Sequence, residues 1–421
     1  MSVRPCSPAR WGPALALCAL GVAATAHAGE VTAAPYGRTA DGRRVTAYTL
    51  ANGTGASVTV LDYGATVAAV RVPDRNGRLA NAVLGFADLA GWEAFGHANA
   101  IIGRVANRIT GGFTLDGVHY PLTPDARGVT SHGGPNGYTR RVWRVVAVRT
   151  RGDPAITLAL DSPDGDQGFP GRLRIRATYR FGRDDALRLD MTATTTRATP
   201  VNLTNHVYFN LGGDSRRPVH GHRLQITTDR SAVMEPGTSP TGEILPVAGT
   251  PFDFRRPTPL GDRVALALGP AWADPLTAPP VPPGMVRSFS RPFVLRPGDN
   301  RLDRVAARLH DPASGRVMEL STTETTVHLF TPARVRPGLL SDAGLPFPPM
   351  PAVALETQHL PESPNRPQFP SVVLRPGRVF RSTTVFAFRT DAARRAPAGG
   401  STGRDQGRRP GRTIDAGPPR C

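Results

Sequence analysis

From Arg172 to Phe181 the chain reads Arg-Leu-Arg-Ile-Arg-Ala-Thr-Tyr-Arg-Phe, polar and apolar residues in strict alternation. Only an extended strand sends successive side chains to opposite faces, so one face of this run is core and the other is solvent. The surrounding sequence has the same grain. Ala33 to Leu61 alternates around Gly37, Gly42 and the turn Ala51-Asn52-Gly53, and Val58 to Val72 runs to the turn Pro73-Asp74-Arg75-Asn76-Gly77. Further strands are expected at Val142–Val145, Ile156–Leu160, Leu187–Thr194, Phe293, Val317–Leu320, Val327–Phe330 and Val379–Phe388, with a short helix near Leu89–Trp92. The 45 Gly and 43 Pro suit short strands joined by turns better than long helices. The expectation is an all-β, antiparallel chain whose 421 residues suffice for one large domain.

The formal net charge is +18, and every one of the 51 basic residues is arginine. With no lysine, Schiff-base chemistry is excluded. The arginines are spread along strands and not gathered into a run with interleaved aromatics, so no nucleic-acid partner is expected.

Met1–Ala28 has the form of a secretory signal peptide. Arg4 and Arg10 open it, Ala14–Ala24 is an apolar stretch too short to span a membrane, and Ala26-His27-Ala28 is a small-x-small cleavage site. Cys6 and Cys18 fall inside it, leaving Cys421 alone in the mature chain and no internal disulfide. No later segment holds eighteen consecutive apolar residues, so no membrane span is expected and the protein should be exported, periplasmic or secreted. Residues 391–421 carry Arg, Gly, Pro and Ala with almost no core formers and read as a disordered tail, which leaves one domain over 29–390.

Val201-Asn202-Leu203-Thr204-Asn205-His206-Val207-Tyr208-Phe209-Asn210-Leu211 is the stretch with most to say about function. As a strand it would place Val201, Leu203, Val207, Phe209 and Leu211 on a core face, and Asn202, Thr204, His206, Tyr208 and Asn210 on a hydrogen-bonding face. In Ser131-His132-Gly133-Gly134 two glycines let the backbone approach whatever His132 faces. His220-Gly221-His222 would set two histidines on one strand face, but a third metal ligand is missing, and Asp161–Gly168 lacks the spacing of a calcium loop. Thr241–Pro246 and Gly249–Phe254 are expected as loops and turns, and Gly269–Gly284 as a Pro- and Ala-rich surface loop.

Five stretches together resemble the aldose 1-epimerase (galactose mutarotase) family. They are Gly103-Arg104-Val105-Ala106-Asn107-Arg108-Ile109, Ser131–Gly134, Asn202–Leu211, Thr241-Gly242-Glu243 through Phe252-Asp253-Phe254-Arg255, and Leu355-Glu356-Thr357-Gln358-His359 followed by Pro364-Asn365. They occur in the family's order across most of residues 33–390. The resemblance implies a large antiparallel β-sandwich, the galactose mutarotase-like supersandwich, with few short helices and an open sugar groove. It implies an isomerase of a free aldose, galactose or glucose, working as monomer or homodimer without cofactor or metal.

By the same resemblance His206 is the general acid and Glu356 the general base, while Asn107, Arg108 and His132 bind or orient the sugar. Exchange of anomers needs one proton removed from the C1 hydroxyl and one given to the ring oxygen, which a carboxylate and an imidazolium can supply. The carboxylate is expected to raise the histidine's pKa, and Arg108 to keep Glu356 ionised. Glu356 is expected to be half-buried beside Val353, Leu355 and Pro361, and Arg104 to lie on the surface. Two positions depart from the family pattern. Ser290 stands where the family has a sugar-binding aspartate, and His328 stands in a strand where it has glutamine, so both belong to an altered sugar-recognition shell. A non-catalytic sugar-binding module on the same fold is the alternative reading; a lyase or hydrolase would need a further acid pair or a tyrosine base, and no such pattern is present.

Overall fold

The computed structural model describes residues 29–391 apart from 126–127, 214–215, 235–239, 269–287 and 333. The expected signal peptide, the body of the Pro- and Ala-rich loop and the tail beyond Asp391 lie outside the described residues. No described helix is long and apolar enough to cross a membrane.

Among the described residues three large sheets carry the fold, and all their strand pairings are antiparallel. A five-stranded meander runs in chain order from Glu30–Arg38 through Arg44–Ala51, Ser57–Leu61 and Thr66–Pro73 to Leu79–Asn81. A nine-stranded sheet starts at Arg144–Arg149, Ala155–Ser162, Leu173–Phe181 and Ala186–Thr195. It then takes in the C-terminal strand Phe380–Thr390, followed by Arg316–Thr322, Ala307–His310, Arg223–Ile226 and Thr258–Pro259. A six-stranded sheet orders Tyr208–Phe209, Val353–Gln358, Thr326–Pro332, Ser288–Val294, Arg230–Met234 and Pro240–Pro246. The last of these is a strand where a loop was expected. It pairs with Arg230–Met234 across an irregular register, which hides its period from the sequence.

The alternation of Arg172–Phe181 holds: Leu173, Ile175, Ala177, Tyr179 and Phe181 are buried and Arg174 and Arg176 exposed. They meet Val58, Val60, Val70 and Val72 of the meander and Val327, Leu329, Val353 and Leu355 of the six-stranded sheet in one continuous core. At roughly 25 cal/mol per Å² of apolar surface removed from water, this core is the main favourable term in folding.

Helices are few. Leu89–Phe95 is started by Asp88, whose carboxylate accepts the Gly91 N–H at 3.0 Å, and stopped by Gly96 in the left-handed region (φ 89°). A second helix, Leu260–Leu268, was not anticipated. His220 and Gly221 lie in a single 3-10 turn and not on a strand, and His222 Nε2 accepts the Leu211 N–H at 2.9 Å, so that histidine is structural. In the acidic turn, Asp166 pairs with Arg141 and Asp164 accepts the Gly171 N–H.

Candidate active site

The same period-two rule that builds the core builds the site. On the central strands of the six-stranded sheet Val327, Leu329, Val353 and Leu355 point into the core, so His328, Phe330, Ala354 and Glu356 take the other face. His328 lies directly opposite Glu356, and Phe330 opposite Ala354 and Ser290. The stretch Val201–Leu211 is not one strand. It is broken into short bridges, Thr204–Asn205 with Ile101–Ile102 and Tyr208–Phe209 with Val353–Ala354. Val201, Leu203, Val207, Phe209 and Leu211 still enter the core, but both sides are buried, so the stretch is enclosed where half-exposure was expected.

This threading brings His206 Nε2 within 3.4 Å of Glu356 Oε1. The His206 ring stacks on Tyr208, with centroids 4.7 Å apart and planes at 17°, and meets the edge of Phe330 at 5.9 Å. A double contact with the turn at Ser131–Gly134 sets the opposite wall. The His132 N–H donates to the Asn107 carbonyl at 2.7 Å, and the Asn107 N–H donates back to His132 Nδ1 at 3.3 Å. Both residues have left-handed backbone, φ 64° and 52°. The close approach rests on Gly133, where a Cβ would overlap the Gly103 carbonyl. From the other side of Asn107, its amide nitrogen reaches His328 Nδ1 at 3.3 Å, and His328 Nε2 lies 2.9 Å from Ser290 Oγ. Six of the seven residues singled out in the sequence are thus linked by contacts, and the seventh, Arg108, acts on Glu356 and His328 through its charge.

Glu356 is 1% exposed, His328 1% and His206 2%, whereas His97, Arg108, His132, Ser290 and Phe330 are half-buried around them. Glu356 is thus wholly buried where half-burial was expected. Its electrostatics also differ from expectation. Burial pushes the Glu356 carboxyl up to about 8, and the opposing pull of Arg108 is the smaller influence. His206 is held well below the ordinary histidine value, first by burial and then by His97, His132 and His328. Burial and Arg108 bring His328 down to about 3. The expected rise of the histidine does not occur, because burial dominates and Glu356, holding its own proton, presents no carboxylate to His206. In the sugar-free site the proton of the pair rests on Glu356, and His206 is neutral.

Two more residues complete the wall. His97 follows the helix-capping Gly96, lies 5.0 Å from His206 and 5.4 Å from His132 between ring centroids, and bonds the Tyr208 hydroxyl at 3.2 Å. Burial takes it down to about 4. No period marks His97, because it sits in a connection between elements; Tyr208 was visible only as a neighbour of His206. Arg104 is the reverse case. It is 1% exposed, with Nη1 donating to the Pro170 and Gly171 carbonyls at 2.7 and 2.9 Å and Nη2 to Ser162 Oγ at 2.8 Å. It is a structural clamp, not a surface group. Among the described residues no cluster of three or more His, Cys, Asp or Glu side chains is arranged to hold a metal ion.

The aldose 1-epimerase family model matches residues 46–387. The chain belongs to the aldose 1-epimerase family. It is 35% identical to human galactose mutarotase over 333 residues, covering 79% of this chain and 90% of that one. It is 34% identical to the aldose 1-epimerase of Escherichia coli over 356 residues, covering 83% and 96%. Among solved structures, an aldose epimerase homologue from C. elegans superposes with a TM-score of 0.70 at 28% identity, covering 81% of this chain and 97% of that one. The mutarotase-like all-β fold and the isomerase activity implied by the sequence motifs are thereby shown: the chain is an aldose 1-epimerase, interconverting α and β anomers of an aldose.

Proposed function

We propose that His206 and Glu356 share one mobile proton that opens and closes the ring of a free aldose, with Asn107, Arg108, His132, Ser290 and His328 binding the sugar. The observation that carries this is the 3.4 Å contact between two buried titratable groups. Glu356 Oε2 and His206 Nδ1, both buried, have no hydrogen-bond partner in the protein. A buried carboxyl oxygen left unbonded costs free energy unless a ligand or water satisfies it.

For ring opening, Glu356 takes the C1 hydroxyl proton while His206 gives one to the ring oxygen; the C1–ring oxygen bond breaks and the aldehyde forms. Rotation about C1–C2 turns the other carbonyl face inward, and the reverse transfers close the ring as the other anomer. At rest the proton lies on Glu356, so it must cross to His206 first. That crossing creates no net charge, and sugar hydroxyls donating to Glu356, together with the Arg108 guanidinium, favour the carboxylate–imidazolium form. Each positioned acid or base is worth about 10²–10⁴-fold in rate.

Polarimetry of freshly dissolved α-galactose and α-glucose tests the reading. Saturable acceleration of the approach to anomeric equilibrium supports it, while sugar binding with no acceleration favours a module that has lost turnover. We also propose export, on the signal-like composition of residues 1–28. N-terminal sequencing of the protein from the envelope or medium should then start near Gly29.

A further inference from the structure

The sugar-binding wall around His328 has a definite polarity. The Asn107 amide nitrogen can only donate, so His328 Nδ1 accepts, and the single proton of this neutral, fully buried imidazole sits on Nε2. Nε2–H therefore donates to Ser290 Oγ at 2.9 Å. Ser290, half-buried at the rim, is left with its own O–H to direct outward. The hydrogen-bond chain Asn107 to His328 to Ser290 thus ends in a donor, which a ligand must meet with an acceptor.

The charge inventory of the same face agrees. On the face of the three strands that carries Ser290, His328 and Glu356, only Glu356 is an acid. It holds its proton at neutral pH. Arg108 is the charged group whose field reaches both His328 and Glu356. The face that carries Ser290 thus offers a hydroxyl donor and no acid apart from the protonated Glu356.

Resting on the mutarotase reading above, we infer that Ser290, oriented by His328 and Asn107, makes this site selective for an aldose that carries a carboxylate, a hexuronate, over the corresponding neutral hexose. The carboxylate would accept the Ser290 hydroxyl proton as a charge-assisted hydrogen bond, stronger than the bond to a sugar hydroxyl.

Polarimetry at pH 7 on fresh α-galacturonic acid, α-galactose and glucose 6-phosphate tests this. The expected kcat/KM is about tenfold higher for galacturonate than for galactose, the ratio by which a charge-assisted bond exceeds a neutral one. Ser290→Asp should reverse the preference, and Ser290→Asn, of equal size without charge, should not; circular dichroism checks that both variants fold. Galactose turned over faster than galacturonate, preference for the phosphate, or equal effects of the two substitutions would each overturn the inference while leaving the mutarotase intact. Acceleration of none of the three sugars would overturn the mutarotase reading with it.

Discussion

Replacing Glu356 by Gln should make the protein more stable and inactive at once. Glu356 is 1% exposed, and its carboxyl is raised from an ordinary 4.5 to about 8 by burial. A carboxyl whose native pKa lies above its unfolded value binds its proton more tightly in the folded state, so folding loses stability as pH rises through that interval. The favourable contribution is complete below pH 4.5. It then falls by about 1.4 kcal/mol per pH unit, is down by about 3 kcal/mol at pH 7, and levels off above about pH 8. Gln has nearly the same shape, can meet His206 Nε2 with its amide N–H, and never ionises. Urea unfolding of both proteins at pH 5, 7 and 9 should therefore give stabilities within about 1 kcal/mol of each other at pH 5. At pH 7 the Gln variant should lead by about 3 kcal/mol, and at pH 9 by somewhat more. A gap that does not change with pH, or a Gln variant less stable than the parent at pH 9, would refute the burial account of this group.

Three further outcomes follow from the same geometry. If one proton shared by His206 and Glu356 is the working state, kcat/KM falls above about pH 8, where Glu356 releases it. It falls again below the ordinary histidine range, where His206 takes a second, so a pH–rate profile flat to pH 10 would contradict the shared proton. Arg104→Met strands the Pro170 and Gly171 carbonyls and Ser162 Oγ, and should lower stability by at least about 3 kcal/mol in urea titration. Gly133→Ala forces a side chain into left-handed backbone at φ 83° and against the Gly103 carbonyl. It should cost at least about 1 kcal/mol of stability and raise KM by displacing His132, both visible in a thermal melt and a kinetic titration.

The period of two made the sheets legible, because a strand with one wet face writes that face into its sequence, as Arg172–Phe181 does. It failed where a segment is enclosed on both sides. Val201–Leu211 looked half-exposed because its polar residues alternate, yet Asn202, Asn205 and Asn210 are buried and bond to other elements, Asn210 donating to the Pro351 carbonyl at 2.8 Å and Asn205 to the Tyr179 hydroxyl at 3.0 Å. The site's chemistry was readable as residue types at motif spacing, but its protonation was not. That depends on how much water reaches Glu356, a property of how the chain at His206 and Tyr208 packs over the six-stranded sheet, which no local spacing encodes. His97 escaped because a connecting residue has no neighbours in sequence that announce what it will touch; only the fold sets its ring against His132 and His206.

If His206 and Glu356 share one proton, they act as one unit on the sugar. Mutarotation rates of His206→Asn, Glu356→Gln and the double variant, measured on the best of the three sugars above, test it most directly. Each single substitution should lower kcat/KM by about 10²–10⁴-fold with the fold retained, and the double should lose hardly more than the worse single, as groups sharing one proton do. Near-normal turnover by either single variant, or losses that multiply in the double, would contradict it.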